Sequence, residues 1–387
     1  MAIRKRVWRN ASGEQTAWIV DYKDQEGHRR HRTFKRQKDA KAWWEGQAAY
    51  EIAQGIHTPV SASITLGETA DLWHKHCGAE GLERSTLQQR RQHIDLHIKP
   101  FVGGVKLGEL SAPRVHAFLD QLRDAGRSLA MRRKVLTNLK TILSYAQSRG
   151  HVAQNVARSV RAPASGRDEV RELRPGVEMP TKAELRAMID NASPRWRGFI
   201  ITAIFTGMRA SELRGLRWQD VDLDAGVIHV RQRADAWGIM GPPKSKAGRR
   251  DIPLAPLVIN ALKEWQLACP KGEDGLAFPN NRGKVANLPN ISRRVFGPIQ
   301  IKAGIVRNTG ERDKNGRPIV KPKYGLHALR HAAASLFIEQ EWQPKKVQTV
   351  LGHASIQMTF DLYGKLFKDE EGDRAAMERV QAALMAG

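Results

Sequence analysis

Cysteine is nearly absent from this sequence: Cys77 and Cys269 are the only two in 387 residues. Two thiols so far apart exclude a disulfide framework and any cysteine-based zinc site. Long apolar runs are missing as well. No stretch approaches the roughly 18 consecutive apolar residues needed to cross a bilayer. The basic start MAIRKRVWRN leads into no hydrophobic segment of the secretory kind. These absences point to a soluble, intracellular protein with no membrane partner. The motifs of common nucleotide and metal enzymes are lacking too, with no GxxxxGK[ST] loop, no HExxH and no CxxC pair. ATP hydrolysis and metalloprotease chemistry have no parts here, and neither a cofactor nor a metal is expected.

Negative charge is also scarce. The chain carries 64 Lys and Arg against 40 Asp and Glu, a formal net charge of +24 and a pI near 10.4. The excess is spread out: residues 1–57 carry +5, 58–165 carry +8 and 166–387 carry +11. Such a surface repels itself, and the usual relief is a polyanion, because each neutralised phosphate releases a condensed counterion. Every segment is therefore a candidate to touch nucleic acid. Apolar residues still make up 41% of the chain, enough for real cores, and the length suggests two or three domains.

Residues 1–57 form a first small unit. Thr16–Tyr22 alternates apolar and polar residues as a half-buried strand does, a turn follows at Asp24–Gly27, and His31–Phe34 suits a second strand. Ala40, Trp43, Trp44, Ala48 and Ile52 then recur at helical spacing between Gln37 and Gly55. Arg29, Arg30, Arg32, Lys35 and Arg36 would decorate one hairpin. Residues 58–72 contain Thr58-Pro59 and a Ser/Thr cluster and suit a linker. From Leu66 to Val160 the pattern is helical, with Leu72, Leu87, Ile94, Phe118, Leu139 and Leu143 among the expected core residues. Breakers at Pro100, Gly103-Gly104, Pro113, Gly126 and Gly150 divide about four helices. One of these, from about Leu129 to Arg149, sets Arg132, Arg133, Lys134 and Lys140 beside its apolar stripe, which suits a DNA-facing surface. Residues 161–180, rich in Pro, Gly and charge, read as an interdomain linker. Beyond it come helices, strands at Gly226–Arg231 and Arg250–Leu254, further helices, and an amphipathic tail from Asp373 through Met377, Val380 and Leu384.

Chemistry concentrates in three pieces. In Thr206-Gly207-Met208-Arg209-Ala210-Ser211-Glu212-Leu213 a helix ends at a glycine and another begins with Arg209 and Glu212 on one face. In His327-Ala328-Leu329-Arg330-His331, positions i, i+3 and i+4 put two imidazoles and a guanidinium on one helical face. Leu351-Gly352-His353 is followed ten residues later by Tyr363. Each piece alone is weak, since a surface ion pair, a satisfied histidine and a packing tyrosine are the ordinary readings.

Taken together in this order, TGMRASEL, GLHALRHAAAS and LGHASIQMTFDLYGKL resemble the tyrosine recombinases, the phage integrase family. The resemblance covers nearly the whole chain. It implies Arg209 and Arg330 as the family arginines, Glu212 as the adjacent acidic residue, His327 as the first histidine of HxxR, His353 as the residue filled by His or Trp, and Tyr363 as the nucleophile. Pro243–Leu254 resembles the hairpin that carries the family's lysine, so Lys244 is the expected residue, with Lys246, two positions on and on the same face of a strand, as the alternative. The resemblance implies a multidomain fold: a small α+β domain of a three-stranded sheet plus helix over 1–57, an all-α core-binding domain over 62–162, a linker over 163–180, and over 181–387 a mainly α catalytic domain with a small β-sheet.

The chemistry agrees with that implication. Attack by a tyrosine hydroxyl on a phosphodiester leaves a covalent phosphotyrosine and a free 5′-hydroxyl, which keeps the bond energy for resealing. The crowded, charged transition state needs fixed cationic donors, and a lysine can protonate the leaving oxygen. His327 could take the tyrosine proton or bond a phosphate oxygen, and Glu212 would orient Arg209 or His327. The function implied is a site-specific recombinase that integrates and excises a prophage or other mobile element in the bacterial cytoplasm, at the nucleoid. Its implied partners are double-stranded DNA at core and arm-type sites, three further copies in a tetramer on DNA, an excision factor and a host DNA-bending protein. A type IB topoisomerase and a non-catalytic architectural protein are the rival readings. The tail could dock on a neighbouring protomer or pack in cis.

Overall fold

A computed structural model of the chain describes residues 3–10, 13–23, 27–45, 63–162, 173–367 and 370–385. It divides into two compact units, Met1–Asp168 and Glu169–Gly387. The first opens with an antiparallel sheet in the order β1-β2-β3, made of β1 (Ile3–Asn10), β2 (Gly13–Lys23) and β3 (Arg29–Phe34). Ala17 and Ile19 are buried on one face of the central strand, and alternation turns the equally buried Val20 and Tyr22 to the other. The helix α1 (Gln37–Trp43) covers that face, with Trp43 against the rings of Tyr22 and Phe34 at 5.4 and 5.6 Å. Strand β1 has no clear alternation of its own, because Arg4, Lys5, Arg6 and Arg9 interrupt it and Val7 and Trp8 stay exposed. Pairing with β2, from Ile3 opposite Val20 to Asn10 opposite Gly13, is what makes it a strand. The turn residues 24–26, the continuation of the helix from 46 to 55 and the Thr58-Pro59 segment lie outside the described residues.

The rest of this unit is helical, with α2 (Leu66–Ala79), α3 (Arg84–His93), α4 (Ala112–Asp124) and α5 (Leu129–Ser148) around one core that includes Leu66, Trp73, Ile94, Phe118, Leu139 and Leu143. The linker expected to run to residue 72 stops earlier. Thr65 and Glu68 form a capping box, which satisfies the first free amides and starts α2 at Leu66. Leu72 is correspondingly not in the core; it is 44% exposed, on the far side of α2 from Leu66, Ala70, Trp73 and Cys77.

The second unit is built on α7 (Pro194–Thr206), a helix buried almost all round through Phe199, Ile200, Ile201 and Ile204. It follows α6 (Lys182–Asn191) and precedes the short α8 (Ala210–Arg214). A three-stranded antiparallel sheet in the order β4-β5-β8 uses Val221–Asp222, Val227–Val230 and Arg250–Pro253, and a two-stranded sheet pairs β6 (Arg233–Ala234) with β7 (Met240–Gly241). Next come α9 (Pro256–Ala268) and a helical stretch that ends in α10 (Gly297–Lys302). A hairpin of β9 (Val306–Arg312) and β10 (Pro318–Pro322) then leads into α11 (Ala328–Glu339), α12 (Pro344–Leu351), α13 (Ile356–Tyr363) and α14 (Glu370–Met385). The hairpin carries no hydrophobic alternation, so the sequence alone does not announce it. Among the described residues no helix is long and apolar enough to cross a membrane.

Candidate active site

Two glycines shape the site. Gly207 ends α7 and Gly352 ends α12, each in the left-handed region at φ 61° and 67°. A Cβ at Gly207 would stand 2.6 Å from a Leu351 methyl, and one at Gly352 would stand 2.9 Å from the Ala247 carbonyl. Only glycine combines that backbone with that approach.

A helix end leaves carbonyls without intrahelical partners and carries the negative pole of the helix dipole. At the end of α12 three consecutive carbonyls each receive a different arginine: Arg250 Nε donates to Val350 at 2.5 Å, Arg330 Nη2 to Leu351 at 2.6 Å, and Arg209 Nη2 to Gly352 at 2.9 Å. Arg330 Nη1 also donates to the Gly207 carbonyl at 2.7 Å. The four carbonyls come from two segments far apart in sequence, the ends of α7 and α12, and Arg330 bonds both.

Glu212 is the second anchor, with its side chain only 1% exposed. Its carboxylate accepts from Arg209 Nη1 at 2.8 Å and from both terminal nitrogens of Arg250 at 2.9 and 3.2 Å. Burial would raise this carboxyl, but Arg250 and Arg209 outweigh it and hold it below the ordinary range. Of the two partners expected for Glu212, the structure gives Arg209; no hydrogen bond to His327 is present among the described residues, and Arg250 takes that place. Arg250 was not singled out in the sequence. The signal was available: alternation along β8 turns Arg250 and Ile252 inward, and a cation at an inward strand position needs a buried partner. Removing one member of a buried pair costs about 3–5 kcal/mol. Glu212→Ala is expected to lose that much in urea unfolding, and a loss below about 1 kcal/mol would mean that the carbonyls alone hold the arginines.

The second cluster is aromatic. His327 stands exposed just before α11, and its ring meets that of His331 edge-on at 4.8 Å. His331 Nδ1 lies 2.9 Å from the Tyr363 hydroxyl. Tyr363, the last residue of α13, is 1% exposed and stacks on His353 at 6.1 Å with the planes 9° apart. His353 Nδ1 in turn lies 2.9 Å from the hydroxyl of the buried Thr359. Sequence spacing had placed His331 on the right face without assigning it a role; the i+4 step from His327 was the signal.

Burial pushes the Tyr363 hydroxyl up to about 12 although Arg330 and Arg209 pull the other way. Burial and then the cations Arg330, Arg209 and Arg250 drop His353 to about 3, so it is neutral at pH 7. Desolvation followed by Arg330 and Arg209 lowers His327 too. Burial, then Arg209, draws Arg330 down to about 9, which leaves it protonated at neutral pH. For His353 the folded value lies below the unfolded one near 6.5, so its contribution to stability is complete above pH 6.5 and is lost as pH falls towards 3. Thermal unfolding is expected to drop through that window, and His353→Gln to drop less steeply; parallel curves would refute the assignment.

Neither candidate lysine lies on a strand, so the expected alternation on one face does not apply. Lys244 sits in a bend after β7 and Lys246 opens the tight turn Lys246–Gly248; both are exposed. The turn closes because Gly248 packs against Pro243, where a Cβ would come within 2.5 Å. In the first unit Arg29, Arg30, Arg32 and Lys35 are exposed, and Arg32 lies over the rings of Phe34 and Trp43. On α5, Arg133 and Lys134 are exposed and Arg132 is half-buried, whereas the half-buried Lys140 donates to the Arg158 carbonyl at 3.2 Å. On α14, Met377, Val380 and Leu384 are 68, 58 and 78% exposed, so no described residue covers that stripe.

Comparison with known proteins places this arrangement. Residues 179–370 match the Phage integrase family and residues 66–163 match the Phage integrase central domain. The tyrosine recombinase XerC of Xylella fastidiosa (strain M23) is 28% identical over 287 residues, which cover 72% of this chain and 85% of that protein. The prophage integrase IntR of Escherichia coli (strain K12) is 22% identical over 341 residues, covering 81% and 79%. Among solved structures, the Tn1549 transposon integrase in complex with transposon right end DNA superposes with a TM-score of 0.66 at 19% identity, over 82% of this chain and 100% of that one. A lambda integrase dimer bound to a core site gives 0.58 at 19% identity, over 96% and 97%. With matches that together span most of its length and a fold shared with integrases of known structure, the chain belongs to the phage integrase family of tyrosine recombinases.

Proposed function

We propose that this recombinase is an integrase that cuts and rejoins DNA strands through a covalent 3′-phosphotyrosine, inserting and removing a prophage or similar mobile element. The observation that carries the reading is the convergence of Arg209 and Arg330 on one helix end, in the same site as the buried Tyr363 hydroxyl. A guanidinium has five donors. The two carbonyls use two of Arg330's, so three remain for the non-bridging oxygens of a phosphodiester.

Tyr363 attacks phosphorus while the bond to the 5′-oxygen breaks. Its proton passes to His331, 2.9 Å away, which leaves His327 to bond a phosphate oxygen. His353 is oriented through Nδ1 by Thr359 and presents its other nitrogen to the phosphate. Lys244, or Lys246 in its stead, protonates the leaving 5′-oxygen. Glu212 and Arg250 position Arg209 and do not react. No step calls on a cofactor or a metal.

Residues 1–57 then serve as an arm-type DNA-binding domain, 62–162 as the core-binding domain, 163–180 as the linker and 181–387 as the catalytic domain. The solved lambda integrase tetramer on a Holliday junction supports a tetramer here, and the uncovered stripe of α14 suits docking on a neighbouring protomer. An excision factor and a host bending protein would set direction. The setting is the bacterial cytoplasm, at the nucleoid.

The test mixes the full chain with nicked duplexes drawn from the DNA flanking its own gene. A covalent band on a denaturing gel, together with hybrid product between two sites, is the expected result. Relaxation of supercoils without hybrid product would favour a topoisomerase, and binding with no covalent band would favour an architectural protein.

A further inference from the structure

The hairpin β9–β10 carries far more charge than its fold requires. Six of the residues 306–323 are Lys or Arg, against the two acids Glu311 and Asp313. In the register of the hairpin Lys321 stands directly opposite Arg307, so two cations share one face across the strands. Like charges so placed destabilise a strand pair unless an anion lies across both.

Among the described residues no such anion is supplied. Asp313 is engaged in the turn, where one of its oxygens accepts the Asn315 and Arg317 amides at 2.8 Å each. Glu311 makes no ion pair among the described residues. Arg307, Lys314, Arg317 and Lys321 are exposed, and none makes a side-chain hydrogen bond or ion pair among the described residues. The short polar side chains do the opposite and hold the hairpin together: Thr309 Oγ1 donates to the Ile319 carbonyl at 2.8 Å, and Asn308 Oδ1 accepts the Gly310 amide at 3.0 Å.

The base is equally fixed. Fully buried Gln300 bonds both the amide and the carbonyl of Tyr324 at 2.8 and 3.0 Å, and Glu184 accepts from Lys323 Nζ and Tyr324 Oη at 2.9 Å each. Three residues beyond Tyr324 the chain reaches His327. A rigid cationic ribbon whose strands run to about 23 Å therefore springs from the segment that enters the candidate active site.

We propose that β9–β10 is a further DNA-contacting element, with Arg307, Lys321, Lys314 and Arg317 lying along the phosphate backbone of the duplex held for cleavage. This rests on the recombinase reading for the identity of its polyanion. The four cations are long and mobile and sit at the tip and on one face, which suits phosphates more than base edges.

The experiment measures affinity of the full chain for a 40-base-pair duplex as salt is varied, alongside covalent trapping on the nicked flanking duplexes. The quadruple variant Arg307→Gln, Lys314→Gln, Arg317→Gln, Lys321→Gln keeps Thr309, Asn308 and Asp313 and so the hairpin's own bonds. Its slope of log affinity against log salt is expected to fall by about 3 to 4, since each phosphate contact contributes about 0.9, and its affinity at 0.1 M salt by at least about tenfold. The control Lys263→Gln, Lys271→Gln is expected to leave the slope unchanged. An unchanged slope in the quadruple variant overturns the proposal, as does a control that falls equally per charge. An unchanged slope with fewer synaptic complexes would assign the hairpin to a neighbouring protomer instead, which also overturns it. Absence of any covalent band from the unaltered chain would sink the recombinase reading, while the slopes would still decide whether the hairpin meets DNA.

Discussion

Tyr363→Phe is expected to abolish the covalent protein–DNA band and every recombinant product, while binding to duplex DNA persists. The substitution removes one oxygen. That oxygen is the only atom of the side chain able to form the phosphoester, and among the described residues no other tyrosine stands in the cluster formed by His331, His353 and Arg330. Losing a nucleophile in an enzyme that works through a covalent intermediate costs about 10³-fold or more, and here there is no alternative route through water that would conserve the bond. The ring should keep its stack on His353, and the lost hydrogen bond to His331 should cost about 1 kcal/mol of stability. Thermal unfolding is thus the control that separates lost chemistry from lost fold. Full recombination activity in this variant would remove Tyr363 from the mechanism altogether.

Arg330→Lys should be nearly as damaging, although charge is kept. The guanidinium reaches the Gly207 and Leu351 carbonyls at once, at 2.7 and 2.6 Å from different nitrogens. A single ammonium cannot span both and also present a forked pair of donors to a phosphate. Single-turnover cleavage at saturating DNA is expected to fall by about 10²–10³-fold, the range for loss of a fixed transition-state donor. Stability should fall by about 2 kcal/mol, because a buried carbonyl is left without its charged donor. A loss of rate under about tenfold, with the fold intact, would show that position 330 supplies only charge.

These two residues also mark how far reading the sequence can go. Arg330 was visible through spacing, since a helix repeats every three to four residues and His327, Arg330 and His331 must then share a face, and Tyr363 through the family resemblance. Their partners were not visible. Nothing local says that Arg330 will bond carbonyls of Gly207 and Leu351, that Arg250 will fill the place beside Glu212, or that His331, and not His327, will meet the Tyr363 hydroxyl. These are contacts between segments tens to more than a hundred residues apart, and their distances depend on how α7, α11 and α12 pack.

The unannounced hairpin and the strand expected at Lys244 and Lys246 have a related reason. In β9–β10 the apolar Ile319 and Val320 are adjacent and fall on opposite faces, so there is no alternation to read, and in 244–248 the close packing of Gly248 on Pro243 converts an expected strand into a turn. By itself the sequence determined the family, the α-rich second unit with its small sheets, the basic composition and the residue types proposed to handle a phosphodiester, because periodicity, spacing and motifs are local properties of a chain. Only the tertiary structure decided which carbonyls hold the arginines, that the Tyr363 hydroxyl is sheltered against His331, and that a cationic hairpin springs from the segment leading to His327. Satisfying buried polar groups is a condition on the whole fold, and no window of sequence contains both partners.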